Sequence, residues 1–171
     1  MKPQISVIGN SDATPGQIEL ARSTGTLIVD HGGRIVCGGM GGVMEAVCEG
    51  ARSSAHYCAG DTIGILPSSD FAAANTFVDI CIPTGIGLAR NAIVAAAGHA
   101  VVAIGGGGGT LSEMAFAWQL NRPLLALDCG EGWSAKLANQ RLDDTHRPSI
   151  QGVGSPEELI GFLQALEILP P

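Results

Sequence analysis

A chain of 171 residues is long enough to bury a core without disulfides or a structural metal, and its length fits one domain spanning residues 1–171. Nine basic residues against sixteen acidic ones leave a net charge of −7, the wrong sign for a protein that holds a nucleic-acid backbone electrostatically. The 46% apolar content is high, yet no uninterrupted apolar run approaches the ~18 residues of a membrane span, so the excess points to a buried parallel sheet and a subunit interface.

Met1-Lys2-Pro3-Gln4 passes directly into a strand-like run, Ile5 to Ile8, without an apolar signal region, which reads as a cytoplasmic protein. Thr14-Pro15-Gly16-Gln17 has the form of a capping box with proline at the first helical position, and predicts a helix from about Pro15 toward Asp30. Gly32 and Gly33 stop it, Arg34 to Cys37 returns as a strand, and Gly38-Gly39-Met40-Gly41-Gly42 leads into a helix from Val43 to about Arg52. Thr62 to Leu66 and Val78 to Ile82 are the next strands, and the connection Ser68 to Asn75 is placed to lie over a pocket. Gly85 to Asn91 opens a small-residue helix to Ala97, and Ala100 to Ile104 is a buried strand. After Gly105 to Gly109 a helix runs from Thr110 to about Leu120, followed by a strand from Pro123 to Leu127 and an irregular stretch from Asp128 to Pro148. Ser155-Pro156-Glu157-Glu158 reads as a second capping box before a final amphipathic helix. Strands alternating with helices, with glycine at the changeovers, predict an α/β fold of three layers, doubly wound and Rossmann-like around a mostly parallel sheet.

The chemistry is concentrated in the glycine loops. Glycine after a parallel strand lets the backbone turn tightly and leaves amide hydrogens uncovered at the positive end of the next helix, where an anion can approach. Five consecutive glycines, Gly105 to Gly109, exceed the need of a tight turn and leave room for a phosphate, with Thr110 adding a hydroxyl. The run is not followed by Lys-Ser/Thr, and no GxGxxG follows the first strand, which argues against Walker-type hydrolysis and ordinary dinucleotide binding. Glu113, one turn into the helix, can reach back over the mouth of the loop as an acid or base, or simply complement the helix dipole. Arg90 sits at a helix start, where a cation is unfavourable, so an anionic partner or an exposed turn must account for it. His31, His56, His99 and His146 show no metal-ligand spacing, and no metal site is expected. The five cysteines are scattered without a CxxC pair, which favours reduced thiols, and Cys37 is read as a buried small residue in preference to a ligand contact. Ser112 lacks a nucleophile elbow.

With these residues assembled, the chain from about Ile5 to Leu166 resembles the molybdenum cofactor carrier proteins. These lie within the SLOG superfamily, which also holds the cytokinin-activating LOG phosphoribohydrolases, once labelled lysine decarboxylases. Three segments carry the resemblance: Gly38 to Met44, Gly85 through Arg90-Asn91, and Gly106-Gly107-Gly108-Gly109-Thr110-Leu111-Ser112-Glu113. The LOG signature Pro-Gly-Gly-x-Gly-Thr-x-x-Glu is matched except that Gly105 replaces the proline, and Asn91 stands where those enzymes place lysine. Both departures look like the carrier branch. The resemblance implies a protein that holds phosphorylated molybdenum cofactor, or molybdopterin, as a homotetramer without transforming it. Arg90 and Glu113 are the catalytic pair only if the chain is instead a nucleoside 5'-monophosphate phosphoribohydrolase, typically dimeric; a nucleotide sensor is the third reading. The candidate ligand-binding set is Gly9, Asn10 and Ser11; Gly38, Gly39, Met40, Gly41 and Gly42; Arg90 and Asn91; and Gly106, Gly107, Gly108, Gly109, Thr110 and Glu113. The expected partner is a small phosphorylated ligand, neither nucleic acid nor membrane.

Overall fold

The computed structural model describes residues 1–171. Seven strands, β1 (Gln4–Gly9), β2 (Arg34–Cys37), β3 (Thr62–Leu66), β4 (Ile80–Pro83), β5 (Ala100–Ile104), β6 (Leu124–Leu127) and β7 (Gln151–Val153), form one sheet in the order β4-β3-β2-β1-β5-β6-β7. Every pairing is parallel. Six helices cover it: α1 (Pro15–Asp30), α2 (Val43–Ser53), α3 (Arg90–Ala97), α4 (Gly108–Gln119), α5 (Gly132–Leu137) and α6 (Pro156–Ala165). The sheet is therefore wholly parallel and doubly wound, as expected of strands that alternate with helices.

Alternate strand residues feed two cores. Ile5, Val7, Ile35, Val102 and Leu125 pack under α1, α2 and α6, while Ile8, Val36, Val101, Ala103 and Ala126 meet Val94 of α3 and Met114 and Trp118 of α4. β5 is buried along its whole length because both faces are covered. α1 begins with the capping box predicted for it, Gln17 N–H donating to Thr14 Oγ1 and Thr14 N–H to Gln17 Oε1. Its crossing with α2 is so close that a Cβ on Gly25 or Gly50 would run into the other helix's carbonyl oxygens, Val47 O and Arg22 O.

Several boundaries differ from the sequence expectation, each for a local reason. β4 starts at Ile80, not Val78, because the Asp79 carboxylate is occupied by the N–H groups of Gly60 and Thr62 and by Arg52. Gly85 and Gly87 have φ of 67° and 60°, so the segment before Arg90 is a turn and a short 3-10 helix, and α3 proper begins at Arg90. α4 starts two residues early, at Gly108, since N–H groups of a first turn need no helical partner and glycine costs least there. The stretch from Asp128 to Pro148 contains α5, whose six residues are too few for a readable period. β7 has only three residues, one of them Gly152. The second capping box is half formed: Ser155 Oγ accepts from Glu158 N–H, but Glu158 Oε2 accepts from Gly154 N–H, one residue before the cap. No helix is long and apolar enough to cross a membrane.

Candidate functional site

The chain walks outward from β1 to β4 and then returns to lay β5 on the other side of β1, so the strand order reverses at the carboxyl ends of β1 and β5. Helices leave in opposite directions there and a crevice opens, the place where ligands of doubly wound sheets sit. The register sets the two loops level, with Gly9 opposite Ile104, so that the Asn10 carboxamide oxygen takes the N–H of Gly106. A cavity of about 280 Å³ opens at this point.

Three loops line it. The turn after β1 supplies Gly9, Asn10, Ser11 and Asp12; the turn after β2 supplies Gly38 and Met40; the turn after β5 supplies Gly107, Gly109 and Thr110. Arg90 and Asn91 of α3 and Glu113 of α4 close the inner wall. Gly107, Gly108 and Gly109 are exposed, and a Cβ on Gly107 or Gly108 would meet no protein atom within 4 Å. Leu111 N–H is the first to bond inside α4, to Gly107 O, which leaves the amides of Gly108, Gly109 and Thr110 without helical partners. Amides gathered at the positive end of a helix, in front of open space, are suited to an anion.

The inner wall is an ion pair. Arg90 Nη1 lies 3.2 Å from Glu113 Oε1, and both side chains are only 7% exposed. Arg90 lines the cavity, and its Nε is buried without any protein partner. Burial pushes the Glu113 carboxyl up to about 7, against the opposing pull of Arg90. Near neutrality the pair therefore passes from net positive to neutral as pH rises. The exposed-turn reading of Arg90 is overturned: it is 5% exposed and salt-bridged. Asn91 carries no charge into the site. Its Nδ2 donates to Ser112 Oγ at 2.9 Å, tying α3 to α4, and Ser112 Oγ in turn donates to Gly109 O at 2.6 Å, so this hydroxyl belongs to the scaffold of the loop.

Not every expected residue reaches the cavity. Gly39, Gly41 and Gly42 lie outside its wall. A Cβ on Gly42 would collide with Asn10 O, and one on Gly39 would meet Leu66, so these glycines let the chain approach itself. Gly38 does similar work with a functional consequence: its Cβ would fall 2.5 Å from both Nη atoms of Arg90, so glycine there makes the berth for the guanidinium. Gly106 is turned inward over Thr110. Gly108 is outside the wall although open to solvent. The Ser68–Asn75 connection does not cover the cavity; Asn75 instead braces the first glycine loop from behind, its N–H on Gly39 O and its Nδ2 on Met40 O. Cys37 is fully buried with its Sγ 3.6 Å from Cys48 Sγ, as a packing residue. No three His, Cys, Asp or Glu side chains converge as a metal-binding group.

Sequence reading missed Ile8, Asp12, Met44 and Leu88 in the cavity wall. It also missed the support from α5: Ser134 N–H donates to Gly105 O, Ser134 Oγ accepts from Gly105 N–H, and Trp133 N–H donates to Gly106 O. The fully buried serine thus ties the inner end of the glycine run to α5.

A doubly wound parallel sheet with a crevice at its switch point defines a Rossmann-like fold. The chain belongs to the SLOG cluster4 family, whose model matches residues 2–160. It is 38% identical over 124 residues to an uncharacterized protein of Archaeoglobus fulgidus, covering 72% of this chain and 79% of that one. Its structure is similar to the molybdenum cofactor binding protein of Rippkaea orientalis, at 34% identity and a TM-score of 0.84 over 98% of each chain. It is likewise similar to the molybdenum cofactor carrier protein of Chlamydomonas reinhardtii, at 30% identity and a TM-score of 0.77, covering 97% of this chain and 99% of that one. These findings bear out the family resemblance read from the three glycine- and arginine-containing segments.

Proposed function

We propose that this protein binds and carries the molybdenum cofactor without transforming it, holding the cofactor's phosphate in the cradle of Gly107 to Thr110. The observation that carries the reading is the pairing of an open, side-chain-free helix start with a buried guanidinium whose Nε has no protein partner. A terminal phosphate meets both requirements, taking loop amides on one side and Arg90 on the other. Met40, Met44 and Leu88 give the same cavity an apolar flank on which the flat pterin can lie. The similarity to two proteins that bind or carry this cofactor supports the choice of ligand. The test is to mix the purified protein with cofactor released from a molybdoenzyme, separate by gel filtration, and oxidise the protein fraction. Fluorescent pterin co-eluting with the chain is expected, and its absence rejects the reading.

One observation favours a second reading. A carboxyl raised to about 7 beside an arginine is suited to general acid–base work, as in a phosphoribohydrolase cleaving the N-glycosidic bond of a nucleoside monophosphate. There Glu113 would orient water or stabilise the oxocarbenium-like centre and Arg90 would hold the anion. Release of ribose 5-phosphate from AMP or isopentenyl-AMP, abolished in Glu113→Ala, distinguishes it from carriage or from nucleotide sensing. Exposed Phe71 and Ile86 suit a subunit interface, and we propose a homotetramer in the cytoplasm, with a dimer as the alternative that sedimentation analysis separates.

A further inference from the structure

A larger concavity, of about 400 Å³, lies at the opposite end of the sheet, where β6 and β7 begin and where α4 and α6 end. Its volume falls within the ~300–1,000 Å³ of small-molecule sites. Trp118, Leu124, Phe162 and Leu166 give it an apolar interior, while Arg122 and Arg147 stand in its wall and no carboxylate does. Two of nine basic residues thus converge on one apolar cleft in a chain of net charge −7.

Both guanidinia are anchored, Arg147 more fully than Arg122, since its Nη1 also reaches Thr145 Oγ1 at 3.3 Å. Arg122 Nη2 donates to Ala96 O at 2.9 Å, in the last turn of α3, and Arg147 Nη2 reaches Gln119 O, the last residue of α4, at 3.4 Å. Helix ends are carbonyl-rich and carry the negative end of the dipole, so they plant cations. Asp143, beside the cleft, accepts from Trp118 Nε1 at 3.1 Å and contacts Arg147 Nη1 at 3.5 Å, which fixes the wall but is too long for a tight bidentate pair. N–H groups of Arg122 beyond its single carbonyl contact remain for a ligand.

We propose that this cleft is a second ligand site, for a small carboxylate with a ring- or short-chain-sized apolar body. The body lies on Trp118, Leu124 and Phe162, and the carboxylate takes N–H groups from Arg122 and Arg147. This goes beyond the carrier reading and does not depend on it, since the two cavities share no residue.

The Trp118 indole N–H, held by Asp143, is a reporter inside the site. The full chain, labelled with nitrogen-15, is titrated with 4-phenylbutyrate, 4-phenylbutanol and acetate, the indole signal being assigned with Trp133→Phe. The expected result is a saturable shift of the Trp118 indole with 4-phenylbutyrate alone. Arg122→Gln and Arg147→Gln should each weaken it by about tenfold or more. Ser149→Trp, placed at an exposed position of the wall, should abolish it by filling the cleft. The rest of each variant's amide spectrum should overlay on the parent, which separates lost binding from lost fold. No saturable shift, an equal response to the alcohol, or an affinity unchanged in either arginine variant overturns the proposal.

Discussion

The two cavities sit at opposite ends of one parallel sheet and are made of different material. At the carboxyl ends of β1 and β5 the cradle is backbone: exposed glycines and the free amides of the first turn of α4, with one buried arginine behind them. At the amino ends of β6 and β7 the cleft is side chain, with indole, phenyl and leucine surfaces and two arginines resting on helix carbonyls. The difference follows from helix polarity. Helices begin at the carboxyl edge of a parallel sheet and end at the amino edge, so one edge offers N–H groups and the other C=O groups. The first edge offers an anion main-chain donors, whereas the second edge offers carbonyls and needs cationic side chains to hold one.

The contrast is broken most strongly at Arg90. Arg90→Ala should lower binding of inorganic phosphate or of the cofactor by about tenfold to a hundredfold, measured by calorimetry or by retained pterin. Gly38→Ala should act in the same direction at a distance from the ligand, because its Cβ would stand 2.5 Å from both terminal nitrogens of Arg90. If Arg90→Ala leaves binding intact, the main chain suffices alone and the arginine is structural.

Next in size is a pH effect confined to the glycine cavity. Glu113 titrates near 4.5 when unfolded and is raised to about 7 in the fold, so between these values the folded chain holds the proton that the unfolded chain releases. Stability from this group is therefore complete below about pH 4.5 and is lost as pH rises through 7, by about 3 kcal/mol in all. Denaturant melts of the wild type and Glu113→Gln, compared from pH 5 to 8, should show this slope in the former and its absence in the latter. Parallel slopes would mean that another group titrates.

Smaller effects are expected at the loop. Gly107→Ala stands at the start of α4 in the cavity wall with free space around it, so thermal stability should change by at most about 1 kcal/mol. Phosphate affinity should nevertheless fall by about tenfold, because the methyl group enters the cradle. A variant that keeps both stability and affinity would show that the open space serves no ligand. The smallest effect of all is expected of Arg122→Gln on phosphate binding at the glycine loop: none within error, since the residue lines only the other cleft.

Much of the architecture was legible in the chain because period and punctuation agreed. The limits of α1, β2, β3 and β5 follow from β-branched runs set between a proline-led cap and glycines, and all four stand where those signals place them. α5 and β7 were not legible, since six and three residues carry too little pattern. In the site, Arg90 and Glu113 stood out by residue type and local context. That they touch depended on α3 and α4 packing side by side, a contact across 23 positions of sequence. Met44 and Leu88 gave no signal because an apolar residue in a cavity wall looks like any core residue.

By itself the sequence determined the α/β alternation, the places where the main chain would be left bare, and the family segments, since these depend on local conformational preference and on residues close in the chain. Only the tertiary structure decided what each glycine does. The run from Gly38 to Gly42 and the run from Gly105 to Gly109 look alike as sequences, yet in the first Gly39 and Gly42 make room for the protein's own atoms and Gly38 for Arg90. In the second, Gly107 and Gly108 face open space at the start of α4. A missing side chain is the same in both; whether its place is taken by carbonyl, guanidinium or ligand is set by neighbours that the fold brings from elsewhere in the chain.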